Sequence, residues 1–258
     1  MRSIWTGAIG FGLVNIPIRL YSAVSSSKLD LDMLDKKNYA NIKFQRINES
    51  TGKEVAWENI VKGYKYGDEY VVLDEEDFEK AAPEKSKMIE IQEFIKEDDL
   101  DSIYIDTPYY VAPSKGGEKA YILLHRALQE SGKVALGSFV MRTRENFCMV
   151  KAAENNLLVL VKLRFPEEIR DTADINLPER ATVKQDELKM AMTLINQLTP
   201  KKFNIAKYRD TYTDALMKII KSKAGGKKVS QPKFKIVRSQ PKDIMAQLKE
   251  SLKTKKAS

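Results

Sequence analysis

The sequence predicts an α+β protein: short antiparallel strands forming a sandwich or barrel, then a helical arm, then a basic tail. Three observations predict it. Segments rich in Val, Ile, Tyr and Phe, several alternating apolar with polar residues, recur at short spacing through the first two-thirds of the 258 residues, which favours a β sandwich or barrel over parallel βαβ units. Two stretches with apolar residues at helical spacing follow, separated by Thr199-Pro200, a natural break because proline cannot continue a helix. Beyond residue 221 the chain turns lysine-rich and poor in apolar residues. The expected division is 1–180 for the strand core, 181–221 for the arm and 222–258 for the tail.

Residues 2–23 read as two strands joined by a tight corner at Phe11-Gly12-Leu13-Val14-Asn15. Gly10 and Gly12 allow backbone angles that a side chain forbids, and Pro17 suits an edge or a strand start. Asn41–Arg46 alternates Ile42 and Phe44 against Lys43 and Gln45, and Asn48–Lys53 follows as a hairpin turn. Further strands are expected at Glu69–Leu73, Ser86–Ile95, Ile103–Ala112, Lys133–Arg142, Phe147–Ala153 and Leu157–Phe165. Asp74–Lys80 opens with a capping aspartate and acids suited to a helix N-terminus, and ends before Pro83. Gly117–Ser131 places Tyr121, Leu124 and Leu128 on one helical stripe, with Ala120, Leu123 and Ala127 beside it. In the arm, Lys184–Leu198 repeats Leu188, Ala191, Met192, Ile195 and Leu198, and Ile205–Lys221 carries Tyr208, Tyr212, Ala215, Leu216 and Ile219. Ser222–Lys228, with Gly225-Gly226 among lysines, reads as a flexible linker. In the tail, Ile244, Met245, Leu248 and Leu252 form an apolar stripe over 243–254, with Asp243 as N-cap. A helix this short is marginal alone. It either docks on a partner, the favoured reading, or packs on its own core.

Charge is unevenly spread within the net +8: residues 222–258 hold eleven Lys/Arg against Asp243 and Glu250, whereas residues 1–221 sum to −1. Within those, residues 67–106 hold fifteen acids and four bases. A basic tail invites a polyanion, or merely solubilises. No apolar stretch has bilayer-spanning length, since Leu157–Leu163 is broken by Lys162. The N-terminus lacks a signal-peptide pattern, and one cysteine excludes an internal disulfide. A cytoplasmic protein is expected.

Catalytic residue types are scarce. His125 is the single histidine, on a helix beside Tyr121 and Leu128, and reads as a packing or interface residue; Cys148 lies in the apolar run Phe147-Cys148-Met149-Val150. No nucleotide-binding glycine motif occurs, and Gly116-Gly117 at a helix start is either a weak anion cradle or simply a flexible N-terminus. The acids Asp74/Glu75/Glu76/Asp77 and Glu97/Asp98/Asp99/Asp101 are adjacent, so they radiate around an axis rather than converge on a metal. No catalytic residue, metal or cofactor is expected. Hairpin tips are better placed for phosphate contact: Lys43, Arg46 and Lys53 bracket one, and Arg142 and Arg144 flank the turn Arg142–Asn146. Each of these is otherwise an ordinary surface charge.

The run Arg2-Ser3-Ile4-Trp5-Thr6-Gly7-Ala8-Ile9-Gly10-Phe11-Gly12-Leu13-Val14-Asn15-Ile16-Pro17-Ile18-Arg19-Leu20-Tyr21 resembles the N-terminus of the bacterial Ku family, DNA-end-binding proteins of non-homologous end joining. The likeness continues through Thr51-Gly52-Lys53-Glu54-Val55, Val61-Lys62-Gly63-Tyr64, Pro83-Glu84-Lys85-Ser86, Gly116-Gly117-Glu118-Lys119-Ala120-Tyr121 and Glu187-Leu188-Lys189-Met190-Ala191, over residues 2–221. Ala56 departs from the proline common before Trp57 in relatives, and Asn48–Gly52 stands where some carry paired cysteines, so no zinc site follows.

The resemblance implies an antiparallel β-barrel with a helical arm, and a homodimer closed as a ring around double-stranded DNA ends in the bacterial nucleoid. It also implies recruitment of an ATP-dependent DNA ligase of the ligase D type. Asp243–Leu252 resembles a short motif near the ends of relatives, which assigns Ile244, Met245, Leu248 and Leu252 to the ligase. The tail lysines, among them Lys223, Lys227, Lys228, Lys233 and Lys235, are assigned to DNA. The rival classes are a general architectural nucleic-acid binder without end specificity and a metal-dependent nuclease or ligase. The missing histidines and nucleotide loops argue against the second.

Overall fold

Trp5–Phe11 (β1) and Val14–Ser22 (β2) pair antiparallel from Trp5↔Leu20 to Phe11↔Val14. Gly12 makes the corner with φ +58°. Gly10 serves space rather than an unusual angle: a Cβ there would lie 2.8 Å from Met88 Sδ. Pro17 sits inside β2 and not at a strand start. It is tolerated because pairing with the next strand begins at Ile18↔Pro113, and Pro17 contributes only its carbonyl, accepting from Ser114 N at 2.8 Å.

This computed structural model describes residues 1–81, 87–178, 181–226 and 244–254. They form two units: residues 1–26 with 31–171, and residues 27–30 with the described residues from Thr172 onward. In the first unit the remaining barrel strands are Met88–Lys96 (β5), Ile105–Pro113 (β6), Lys133–Met141 (β7), Arg144–Ala152 (β8) and Leu158–Leu163 (β9). A separate hairpin, Lys62–Tyr66 (β3) with Glu69–Leu73 (β4), precedes them in the chain. The closed order is β1-β2-β6-β9-β8-β7-β5, antiparallel throughout except where β5 meets β1 in parallel. Closure leaves the barrel without free edges.

Every barrel strand contributes apolar side chains to the core: Ile9, Ile16, Ile18, Leu20, Ile89, Val111, Phe139, Cys148, Val150, Leu158 and Leu160 are at most 2% exposed. Glu118–Ser131 (α2) closes one end of the barrel with Tyr121, Leu124, His125 and Leu128, all buried. The Tyr121 hydroxyl donates to Val111 O and accepts from Leu158 N, both at 2.8 Å. It thereby satisfies backbone groups at the ends of β6 and β9 that the ladder leaves over. Leu123 and Ala127 face solvent instead of the core. A smaller outward cluster, Val134, Leu136, Met149, Val161 and Leu163, is covered by Ile95, Leu100 and Phe147.

The expected strand Asn41–Arg46 does not form. Only single bridges occur, Leu34↔Asn41 and Ile47↔Glu54, and Phe44 is 79% exposed. Alternation creates a strand only where a ladder and a covering layer exist, and this stretch has neither. The turn after it does form: Asn48 Oδ1 accepts from the amides of Ser50 and Thr51, and Val55 N donates to Arg46 O. All of β3, and all of β4 except Leu73, are exposed. Glu75–Ala81 (α1) starts with a reciprocal cap, Asp77 N to Asp74 Oδ1 at 2.9 Å and Asp74 N to Asp77 Oδ2 at 3.1 Å.

In the second unit Gln185–Leu198 (α3) is capped by Glu187, which accepts from Lys184 N at 3.0 Å. The second arm helix, Thr211–Ala224 (α4), starts six residues later than the apolar spacing suggested. Asp210 caps it, accepting from Thr213 N at 3.0 Å, while Ile205–Lys207 is a separate 3-10 turn and Tyr208 lies outside the helix. The Thr213 hydrogen bonds hold the Asp210 carboxyl below its usual range. At its far end α4 continues through Ser222 and Lys223, expected to be linker, and stops at Gly225-Gly226. Ile244–Thr254 (α5) packs beside α3. Asp243 lies outside the described residues.

Candidate nucleic-acid interface

The end of the barrel opposite α2 brings Arg142, Arg144 and Lys162 together. The β7–β8 ladder closes at Met141↔Arg144, leaving Arg142-Thr143 as the turn. Arg142 takes φ +62° there, a left-handed conformation uncommon outside glycine and asparagine. Asn146 Nδ2 donates to Arg144 O at 2.8 Å and pins the turn. A groove of about 450 Å³ runs beneath it, lined by Tyr109, Met141, Arg142, Arg144, Asn146 and Lys162 among others. Lys162 Nζ stands 2.8 Å from Asp106 Oδ2, and Arg164 Nη2 3.5 Å from Asp106 Oδ1. The Arg164 guanidinium also donates to the carbonyls of Ile103 and Ile105. The Lys162 hydrogen bond holds the Asp106 carboxyl below its usual range and raises the Lys162 ammonium in return.

Arg142 and Arg144, singled out from the sequence, are therefore joined in one groove by Lys162, which sequence reasoning used only as a break in an apolar run. Strand parity was the available signal, because β9 reads Leu158, Leu160, Lys162 along its inward face. Lys43, Arg46 and Lys53 lie on a different element and are all exposed. Arg46 and Lys53 stand on opposite arms of the 46–55 hairpin, and the Arg46 guanidinium sits 4.4 Å over the Trp57 ring. Lys223 is exposed near the end of α4. Lys227, Lys228, Lys233 and Lys235 lie outside the described residues.

On α5, Met245, Leu248 and Leu252 are half-buried and Ile244 is 63% exposed. Met245 and Leu252 share a groove with Asp186, Lys189, Met190 and Thr193 of α3.

Other residues with catalytic potential are structural. His125 is 2% exposed, and its Nε2 donates to Ala153 O at 2.8 Å, since a carbonyl can only accept. Burial pushes the Cys148 thiol up to about 12, so it is not a thiolate at neutral pH. Gly116 N donates to Glu118 Oε2 and Gly117 N to Ser114 O, both at 2.9 Å, so these two amides are already engaged. Glu97 pairs with Lys151, and Asp74 and Asp77 cap α1. Among the described residues no group of three or more His, Cys, Asp or Glu is arranged to hold a metal ion, and no helix is long and apolar enough to cross a membrane.

Residues 10–190 match the family model described as the Ku70/Ku80 beta-barrel domain. The non-homologous end joining protein Ku of Coxiella burnetii is 37% identical over 262 residues, covering 98% of this chain and 95% of that protein. The protein of the same name from Opitutus terrae is 40% identical over 231 residues, covering 88% and 82%. That from Archaeoglobus fulgidus is 36% identical over 233 residues, covering 89% and 90%. With the closed barrel, its α2 plug and matches spanning nearly the whole chain, this protein belongs to the Ku family.

Proposed function

We propose that this protein binds the ends of double-stranded DNA in non-homologous end joining, as a ring-shaped homodimer without sequence preference. The single observation that carries the dimer is a set of aromatic side chains left exposed among the described residues. Tyr39, Phe44, Tyr66 and Tyr70 are 71–79% exposed, on the ribbon from Leu31 to Leu73. Four aromatic rings this exposed on one stretch of chain suit a surface that a partner covers. A second copy covers that surface and closes a hole that one small barrel cannot make. Basic groups on hairpin tips meet phosphates, which position the protein and carry no sequence information. Binding weakens with salt, log K falling by about 0.9 per tenfold of salt for each phosphate neutralised. The role is non-catalytic and needs no cofactor.

Topology supplies the test. A closed ring loads only where a duplex terminates, so a linear duplex is bound and a nicked circle of equal length is not. Equal binding to both identifies a general architectural binder instead, and sedimentation at the monomer mass refutes the ring.

The tail's α5 docks an ATP-dependent ligase of the ligase D type through Ile244, Met245, Leu248 and Leu252. Because Met245 and Leu252 line the groove beside α3, the ligase must take α5 from α3 or bind the pair together. Leu248→Asp is expected to abolish stimulation of ligation while leaving DNA affinity unchanged in a gel-shift assay. Undiminished stimulation removes α5 from the docking role.

A further inference from the structure

Lys162 occupies a position where the fold calls for an apolar side chain. It pairs in register with Cys148, a fully buried residue on the inward face, and continues the series Leu158, Leu160. Isolated inward charges are costly, and replacing a charge pair by apolar groups of similar size is often neutral or stabilising. Lys162 is a third exposed and its pair with Asp106 holds the ammonium in its charged form, so that pair gives one reason for a lysine there. Its surroundings give another: the open mouth of the barrel, with the Arg142 and Arg144 side chains and the Tyr109 phenol lining the same groove and no carboxylate among the lining residues. Asp106 holds Lys162 from outside that lining, is itself shared with Arg164, and Glu168 is the other carboxylate acting on the ammonium.

We propose that the open barrel mouth is a phosphate-binding site, in which Lys162 supplies a fixed charge at the floor and Arg142 and Arg144 close over the anion from the rim. The inference rests on the reading of this protein as a DNA-end binder for the source of the phosphate, but not for the site itself. Arginine forks suit phosphate oxygens, and a lysine point charge held by Asp106 is pre-oriented instead of mobile. Two sources share this chemistry, the terminal 5′-phosphate of a broken strand and an internal phosphodiester.

The test uses the full-length protein and K162M, in which Asp106 keeps Arg164. Inorganic phosphate alone, titrated at constant ionic strength against chloride, is expected to raise the thermal midpoint of wild type and not that of K162M. On linear duplex, K162M is expected to bind roughly tenfold more weakly, with a salt slope shallower by about 0.9, and K162R to recover most of the loss. A larger loss on 5′-phosphorylated than on 5′-hydroxyl ends assigns the site to the terminal phosphate; an equal loss assigns it to the backbone. If K162M lowers the thermal midpoint but leaves phosphate response, duplex affinity and salt slope unchanged, Lys162 is only a structural partner of Asp106 and the site does not exist. Absence of duplex binding by wild type refutes end binding, while the phosphate titration still decides the mouth.

Discussion

Gly137→Ala is expected to leave no folded barrel at 37 °C. A Cβ at that position would stand 2.1 Å from the Glu90 carbonyl oxygen and 3.2 Å from Ile91 Cα. The obstacle is backbone, not the far end of a mobile side chain, so relief requires β5 and β7 to separate. They are held in register on both sides, by Ile89↔Phe139 and Glu90↔Ser138 before the contact and by Glu93↔Leu136 to Lys96↔Lys133 after it. The irregularity between Ile91 and Glu93 has already used the slack that a bulge provides. Opening this seam removes a ladder from a closed sheet and exposes Ile89 and Phe139, both at most 2% exposed. The cost falls in the exceptional class above about 4 kcal/mol, a large part of a domain's total stability. Circular dichroism and the soluble yield of the variant check it; a cooperative melt near that of wild type would mean that the strands can shift where the register says they cannot.

Deleting residues 223–258 is expected to weaken DNA binding by a hundredfold or more at moderate salt and to flatten the salt slope, with preference for ends retained. The segment carries all eleven basic residues of the tail. If about five of them neutralise phosphates, the slope of log K against log salt falls by roughly 4 to 5, which is worth orders of magnitude in affinity. In the proposed ring end preference survives, because it belongs to closure and not to charge. Competition between a linear duplex and a nicked circle, measured across a salt series, separates the two contributions. Loss of end preference in the truncated protein would place the selective element in the tail and contradict the ring.

How much of this fold was legible depended on whether a segment had a neighbour to bury it. Lys133–Met141 and Leu158–Leu163 were readable because their apolar character matches the burial that closure gives them. Asn41–Arg46 has a similar alternation but no covering layer, so the same signal produced no ladder, only isolated bridges at Asn41 and Ile47. The hairpin Lys62–Tyr66 with Glu69–Leu73 went half-read: its second strand was visible in Tyr70-Val71-Val72, whereas lysines and glycine in the first masked the alternation of Tyr64 and Tyr66. Helix boundaries failed where apolar spacing outran a cap. Tyr208 continues the stripe of α4, yet Asp210 with Thr213 starts the helix after it. For the basic groove, Arg142 and Arg144 were found because they flank a turn. Lys162 was overlooked because β9 is apolar on both faces apart from it, so the parity that puts it with Leu158 and Leu160 stands out only once Cys148 is seen opposite.

The exposed ribbon has a bearing on how the chain comes to be made. Phe44, Tyr66 and Tyr70 bury little of their rings in a solitary copy, so they contribute little apolar stabilisation to it. The apolar core of a lone copy's first unit thus lies in the barrel and its helical plug. In the proposed homodimer the cover for these rings arrives with the second copy, after the barrel of each has folded.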